Sequence, residues 1–347
     1  MFTASTSVSG IVYHGSPMQK EPHSPTRLSH RSLKLHRSVV GPEGAPPVLV
    51  LHGITGSRRY WLPRVLPLAR RHRLIIPDLP GFGLSPKPFT DYTPDFFVET
   101  LMGLLQHEGL RNQKIKIVGH SLGGIIGLEI AARYPDLVDR LTLMNIPRLN
   151  NADEAHDIWF EGSASYRNLL MANSVGHNLA QMRRTGLRLT ARYMKRLPWA
   201  VLADCRRFTF RSLTSTLEHC LLNYRIDELL PSVPRVPCLL IHGTEDQVAP
   251  IGKTLAFPAM HPFPALEVIE GAGHHPFHTH TATCLELVRA HLDDETPRLN
   301  GDVSIVSVPS GCQSPPELKP RERRTTATSR RAARWRIKTP SRRRRRA

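Results

Sequence analysis

The sequence predicts an α/β protein, a mostly parallel doubly wound sheet with a helical insertion. Three observations carry that reading. Short, largely apolar runs recur along the chain at Val48–Leu51, Leu74–Ile76, Ile115–Val118, Leu141–Met144 and Cys238–Ile241, with a more exposed one at Leu266–Ile269. Such runs mark strands covered on both faces. Helix-length segments lie between most of them, at Trp61–Arg70, Thr93–Glu108, Gly124–Tyr134 and Thr281–His291. Alternating strands and helices of this kind build a parallel sheet with helices on both faces. Finally, the interval from Arg148 to Pro231 contains no convincing strand and reads as several helices, among them Ser212–Tyr224.

Taken in order, residues 1–26 are rich in Ser, Pro and His and read as a disordered N-terminal segment. Partial alternation at Leu33, Leu35 and Val39 suggests one or two half-buried strands before Pro46-Pro47. The core is expected at 27–147 and 231–297, the helical cap at 148–230, and a disordered Arg-rich tail at 298–347. The chain of 347 residues carries a net charge of +18, and +12 of it falls in residues 298–347. The folded body is therefore close to neutral, and the basic balance says little about what that body binds. The tail ends in Arg342–Arg346 and can bind polyanions weakly, yet it has no nucleic-acid motif.

Five cysteines are scattered without a C-x-x-C pair, which argues against a disulfide framework or a zinc site. Reduced thiols fit a cytoplasmic protein. No stretch approaches the roughly 18 apolar residues of a membrane span, and nothing in the sequence sets an oligomeric state.

The chemistry is read from Gly119-His120-Ser121-Leu122-Gly123. This G-x-S-x-G sits between an apolar run and a helix-like run. A sharp strand-to-helix turn there exposes the serine hydroxyl and aims helix N–H groups at a forming oxyanion. A serine needs a base and a carboxylate to orient that base. Both come in loops after later strands: Glu245 or Asp246 in HGTEDQVAP at 242–250, and His274 or His275 in GAGHHP at 271–276. Loops at the carboxyl ends of parallel strands converge on one edge, so distant residues can meet there. Two oxyanion donors are expected, the N–H of Leu122 and that of Ile54 in His52-Gly53-Ile54-Thr55-Gly56.

HGITGS at 52–57, DLPGFGLS at 78–85, GHSLGG at 119–124, HGTEDQVAP and GAGHHP follow one another in an order that resembles the α/β-hydrolase fold superfamily, in its cap-bearing branch. The resemblance spans roughly residues 28–292 and implies Ser121 as nucleophile, Asp246 as acid, His274 as base and 148–230 as a lid. Epoxide hydrolases and haloalkane dehalogenases of the superfamily carry Asp at the elbow, so Ser121 points away from them. The expected activity is hydrolysis of a small or medium acyl ester through an acyl-enzyme, without cofactor or metal. A thioesterase or carbon–carbon bond hydrolase with the same triad is the alternative, and a non-catalytic ligand receptor is the alternative of another class. Trp61, Phe82, His120 and His275 are candidate pocket residues, with core packing as the competing reading for Trp61 and Phe82. Lid cations such as Arg183, Arg188, Arg207 and Arg211 either attract an anionic substrate or form a solvated outer face.

Overall fold

The computed structural model describes residues 30–149, 154, 204, 207–255, 265–299 and 305–309. All of them fall in a compact unit spanning Met1–Pro315; a second unit, Pro316–Ala347, lies outside the described residues. So do the N-terminal segment 1–26, most of the expected cap and most of the expected tail, including Arg342–Arg346.

Eight strands form one sheet: β1 Arg37–Val40, β2 Pro47–Leu51, β3 Arg73–Pro77, β4 Ile115–His120, β5 Val138–Met144, β6 Cys238–Gly243, β7 Ala265–Ile269 and β8 Ile305–Pro309. Their order across the sheet is β1-β3-β2-β4-β5-β6-β7-β8. The six strands from β3 to β7 run parallel, as the apolar runs predict. Both edges are antiparallel additions, β1 on β3 and β8 on β7. β8 corrects the sequence reading, which placed 298–347 in a disordered tail. Its five residues, IVSVP, are rich in β-branched side chains and pair with the whole of β7. The surrounding Pro-, Ser- and Arg-rich composition hides that short signal. At the other end, only Arg37–Val40 of the 27–40 region is a strand, and His30–Ser32 is a short 3-10 turn.

The helices follow from caps and apolar stripes. Helix α1, Pro94–His107, starts where Thr93 Oγ1 accepts from Phe96 N–H at 3.2 Å and Pro94 occupies the first helical position. It buries Phe97, Val98, Leu101 and Leu105. Helix α2, Leu122–Arg133, is buried from Leu122 through Ala131. The expected helix at 61–70 is broken into a turn of α-helix, Leu62–Val65, and a 3-10 segment, Leu66–Arg70, each with a proline in its first turn. Helix α3, Phe210–Leu217, opens with a reciprocal capping box between Thr209 and Ser212. A π-helical turn, Glu218–Leu222, continues it. Helix α4, Thr281–Asp293, ends at Asp294 in a left-handed conformation.

One face of the sheet builds the core with Val48, Val50, Ile76 and Ile241 packed against Trp61, Phe277, Leu287 and Val288. Burying each such side chain contributes roughly 1.5–3 kcal/mol. The segment around α3 is docked by polar contacts: Ser212 Oγ donates to Gly81 O at 2.9 Å, Tyr92 N–H donates to Ser215 Oγ at 2.9 Å, and Tyr224 Oη donates to the buried Glu129 at 2.8 Å. Among the described residues, no helix is long and apolar enough to cross a membrane.

Candidate active site

The sheet order fixes where the chemistry can sit. β2 leads to β3 on one side and β4 returns on the other, so a crevice opens beyond the carboxyl ends of β2 and β4. The loop 52–56 leaves β2 at that crevice and Ser121 leaves β4 there. Ser121 has φ 53° and ψ −119°, a conformation rarely adopted by a non-glycine residue, at the N-terminus of α2. Holding it costs on the order of 1–3 kcal/mol. The elbow is secured by Ser121 N–H donating to Met144 O at 2.9 Å and by close backbone packing around it. A Cβ on Gly123 would fall 2.4 Å from Leu51 O, so only glycine lets α2 approach β2 this closely.

The carboxylate comes from the loop after β6. Asp246 is buried, whereas its neighbour Glu245 is exposed. Asp246 Oδ1 accepts from the N–H groups of Val248 and Ala249 at 2.8 and 2.9 Å. Its Oδ2 accepts from His274 Nδ1 at 2.8 Å and from Asn145 Nδ2 at 2.7 Å. His242 Nε2 lies 3.4 Å from the same oxygen. Burial works to raise this carboxyl, but His274 and His242 outweigh it and hold it well below the usual carboxylate range. The expected Asp246–His274 pair is thus in contact, with the His274 ring turned so that Nδ1 meets the carboxylate. Among the described residues no hydrogen bond joins Ser121 Oγ to His274; the His274 side-chain bond is the one to Asp246.

The 52–56 loop closes the other side. A Cβ on Gly53 would lie 3.2 Å from Ser121 Cβ, so this loop presses directly on the elbow. Thr55 turns it with φ 61°. His52 staples it: Leu79 N–H donates to Nε2 at 2.8 Å, so the ring proton resides on Nδ1 and is donated to Gly53 O at 2.7 Å. Burial lowers the His52 pKa and keeps the ring neutral. Ile54 and Leu122, the expected oxyanion donors, are both buried; Leu122 follows Ser121 in the chain, and Ile54 follows Gly53, the residue whose Cβ would lie 3.2 Å from Ser121 Cβ. Ser57, just beyond the loop, donates its hydroxyl to Asp204, a buried carboxylate of the expected cap.

The candidate pocket residues divide. Trp61 is fully buried in the core, edge-on to Phe277 at 4.9 Å, and its place there is packing. Phe82 stands edge-on to His52 at 6.3 Å and faces Phe208 at 6.4 Å, between the 52–56 loop and the α3 segment. His120 is buried and stacked on Tyr60 at 4.9 Å. His275 packs beside His274 at 5.2 Å and Tyr60 at 5.6 Å. Burial, with the neighbouring His274, pushes both His120 and His275 well below the ordinary histidine value. Among the described residues no group of histidine, cysteine or acidic side chains is arranged to hold a metal ion. Of the lid cations, Arg211 is committed to Thr90 O and Asp91, both at 2.8 Å, and anchors α3 to the core. Arg207 lies 3.8 Å from Asp204, and Arg183 and Arg188 fall outside the described residues.

Sequence reading missed Asn145 and His242. Asn145 has φ 48° and its N–H donates to Ile241 O at 2.9 Å, which turns its amide toward Asp246. Its one sequence signal is its position, a polar residue directly after the apolar run Leu141–Met144 on the edge where the loops converge.

A family model described as the alpha/beta hydrolase fold matches residues 46–281. The chain belongs to the α/β-hydrolase fold family. This α/β hydrolase is 27% identical over 306 residues to an uncharacterised protein of Mycobacterium tuberculosis, covering 79% of this chain and 83% of that one. It is 28% identical over 233 residues to Lipase 3 of a Moraxella species, covering 66% of this chain and 72% of the lipase. Among solved structures, a thermophilic esterase from Thermogutta terrifontis superposes with a TM-score of 0.59 at 23% identity, covering 76% of this hydrolase and 94% of the esterase. That likeness concerns the fold. The matched span takes in strands β2 to β7, the elbow and the loops that follow β2, β4, β6 and β7.

Proposed function

We propose that the protein is a serine hydrolase acting on a small or medium acyl ester. The observation that carries the reading is the 2.8 Å bond from His274 Nδ1 to the buried Asp246, on the same sheet edge as an elbow serine at φ 53°. In this mechanism His274 Nε2 takes the Ser121 proton as Oγ attacks the acyl carbon. The tetrahedral oxyanion is held by the N–H groups of Leu122 and Ile54, each donor of this kind being worth about 3 kcal/mol. The alcohol leaves with the proton held by His274, giving the acyl-enzyme. Water, deprotonated by His274, then attacks that ester, and the carboxylic acid departs as Ser121 Oγ regains its proton. The cycle needs no cofactor. Asp246 keeps the imidazole in the tautomer that presents Nε2 to the serine. In this reading residues 148–230 serve as the lid, and Phe82, which contacts both His52 and Phe208, is a candidate pocket residue. Buried free thiols at Cys220, Cys238 and Cys284 support a reducing, cytoplasmic setting.

The test is hydrolysis of p-nitrophenyl esters of increasing acyl length by wild type and Ser121→Ala. Serine-dependent turnover with an optimum at short to medium chains supports the reading. Full activity in Ser121→Ala overturns it, and turnover of a thioester or a vinylogous diketone alone moves the substrate class.

A further inference from the structure

The loop that carries His274 leaves β7 and crosses the ends of three other strands. Three consecutive carbonyls of that loop are each held by a different one. Ala272 O accepts from Glu245 N–H at 2.8 Å, in the loop after β6. Gly273 O accepts from Asn145 Nδ2 at 3.3 Å, at the end of β5. His274 O accepts from His120 Nε2 at 2.7 Å, at the end of β4. The strand order β4-β5-β6-β7 makes these contacts a line running back across the sheet edge toward Ser121.

We propose that His120 is a positioning residue, whose Nε2–H bond to His274 O sets the base over the nucleophile that follows His120 in the chain. The inference rests on the serine-hydrolase reading above. The chemistry of the bond settles the ring. A carbonyl only accepts, so Nε2 carries the proton and, in the neutral ring, Nδ1 does not. The neutral state is supported by burial and by the adjoining His274 and His275 rings. Stacking on Tyr60 fixes the ring plane. Nδ1, which has no hydrogen-bond partner among the described residues, is turned toward the 52–56 loop, where a Cβ on Gly53 would fall 2.9 Å from it. One side chain therefore touches the base loop, adjoins the nucleophile in sequence and sets how near the oxyanion loop can come. Of the three pins it is the one nearest the elbow. A base displaced by about 1 Å loses on the order of a hundredfold in rate, so a 2.7 Å bond at this point has leverage on catalysis.

The test compares His120→Gln, whose Nε2 is the same number of bonds from Cα and keeps the donor, with His120→Leu, which removes it. Thermal unfolding confirms that each variant is folded. Two quantities are then read. The first is the rate of Ser121 phosphonylation by a fluorophosphonate, alongside kcat and KM on an ester. The second, which needs no substrate, is the low-field proton resonance of His274 Nδ1–H against Asp246. The expected result for His120→Leu is a fall of about 10- to 100-fold in phosphonylation and kcat with KM within a factor of about two, and a shifted or broadened resonance. His120→Gln is expected to recover most of both. Wild-type rates and an unchanged resonance in folded His120→Leu overturn the proposal, as does a Gln variant no better than Leu. Absence of labelling and turnover in the wild type defeats the serine-hydrolase reading instead, and the resonance alone then decides whether His120 positions His274.

Discussion

Asn145 donates its side-chain amide to Asp246 Oδ2 at 2.7 Å, the same oxygen that receives the His274 Nδ1 proton at 2.8 Å. Asp246 is thus a buried carboxylate with two backbone donors on one oxygen and two side-chain donors on the other. Hydrogen bonds to charged groups are each worth about 1.5–3 kcal/mol. Removing Asn145 frees the oxygen to tilt away from His274, the proposed base. Asn145→Ala is expected to lower kcat/KM by about 10- to 100-fold while the protein stays folded. Steady-state kinetics and a melting curve on the variant check this, and unchanged kcat/KM contradicts it.

Asp246 and Glu245 are adjacent carboxylates that the structure separates, one buried on His274 and the other exposed. Asp246→Asn offers His274 an amide in place of the anion and favours the wrong tautomer, so kcat is expected to fall by up to about 10⁴-fold. Glu245→Gln should stay within about twofold, since it alters an exposed loop group. Parallel rates for the two variants distinguish them; equal losses would remove Asp246 from the acid role.

Gly53 is a steric prediction. A methyl group there would meet His120 Nδ1 at 2.9 Å and Ser121 Cβ at 3.2 Å. The 52–56 loop must shift away from the elbow, taking the Ile54 N–H with it. Gly53→Ala is expected to reduce kcat by about 10²-fold or more, the loss seen when one oxyanion donor is withdrawn. The effect should appear mainly in kcat, because in the proposed mechanism the Ile54 N–H acts on the transition state.

Stability should fall as mildly acidic pH is approached. Burial is the main cause that lowers the His120 and His275 pKa values well below the ordinary 6.5, and it brings His278 and His291 to about 4. Above pH 6.5 these rings are neutral in both folded and unfolded chains and contribute no pH dependence. Below it the unfolded chain takes up protons that the folded chain refuses, so unfolding is increasingly favoured down to the folded values near 4. The carboxylate pairs are lost at lower pH still. Melting temperature followed from pH 7.5 to 5 is expected to drop steadily from about 6.5 downward; a flat profile over that range rules the linkage out.

Much of the fold was legible because parallel strands covered on both faces leave apolar runs: β2, β3 and β6 carry uninterrupted ones, and those of β4, β5 and β7 are each broken by one residue, Lys116, Thr142 and Glu267. The edges were harder. β1 and β8 face one neighbour each and need no such run, and the IVSVP of β8 lies within a Pro-, Ser- and Arg-rich stretch. The positions of Ser121, Asp246 and His274 in loops after β4, β6 and β7, and the Asp246–His274 contact, were legible because each residue sits in a Gly-containing loop motif after a strand. Asn145 and the His120–His274 contact were not, since a hydrogen bond across strands 100 or more residues apart leaves no local pattern. Trp61 shows the converse: an aromatic residue near a site motif that belongs to the core.

The account stands on Ser121 being a nucleophile activated by His274. The most direct measurement is reaction of the full-length protein with a fluorophosphonate, followed by mass spectrometry of the peptide containing residues 119–124. The account predicts one adduct per chain on Ser121, with labelling abolished in Ser121→Ala and slowed by orders of magnitude in His274→Ala. An unlabelled Ser121 in the folded wild type, or labelling that persists at full rate without His274, would contradict it.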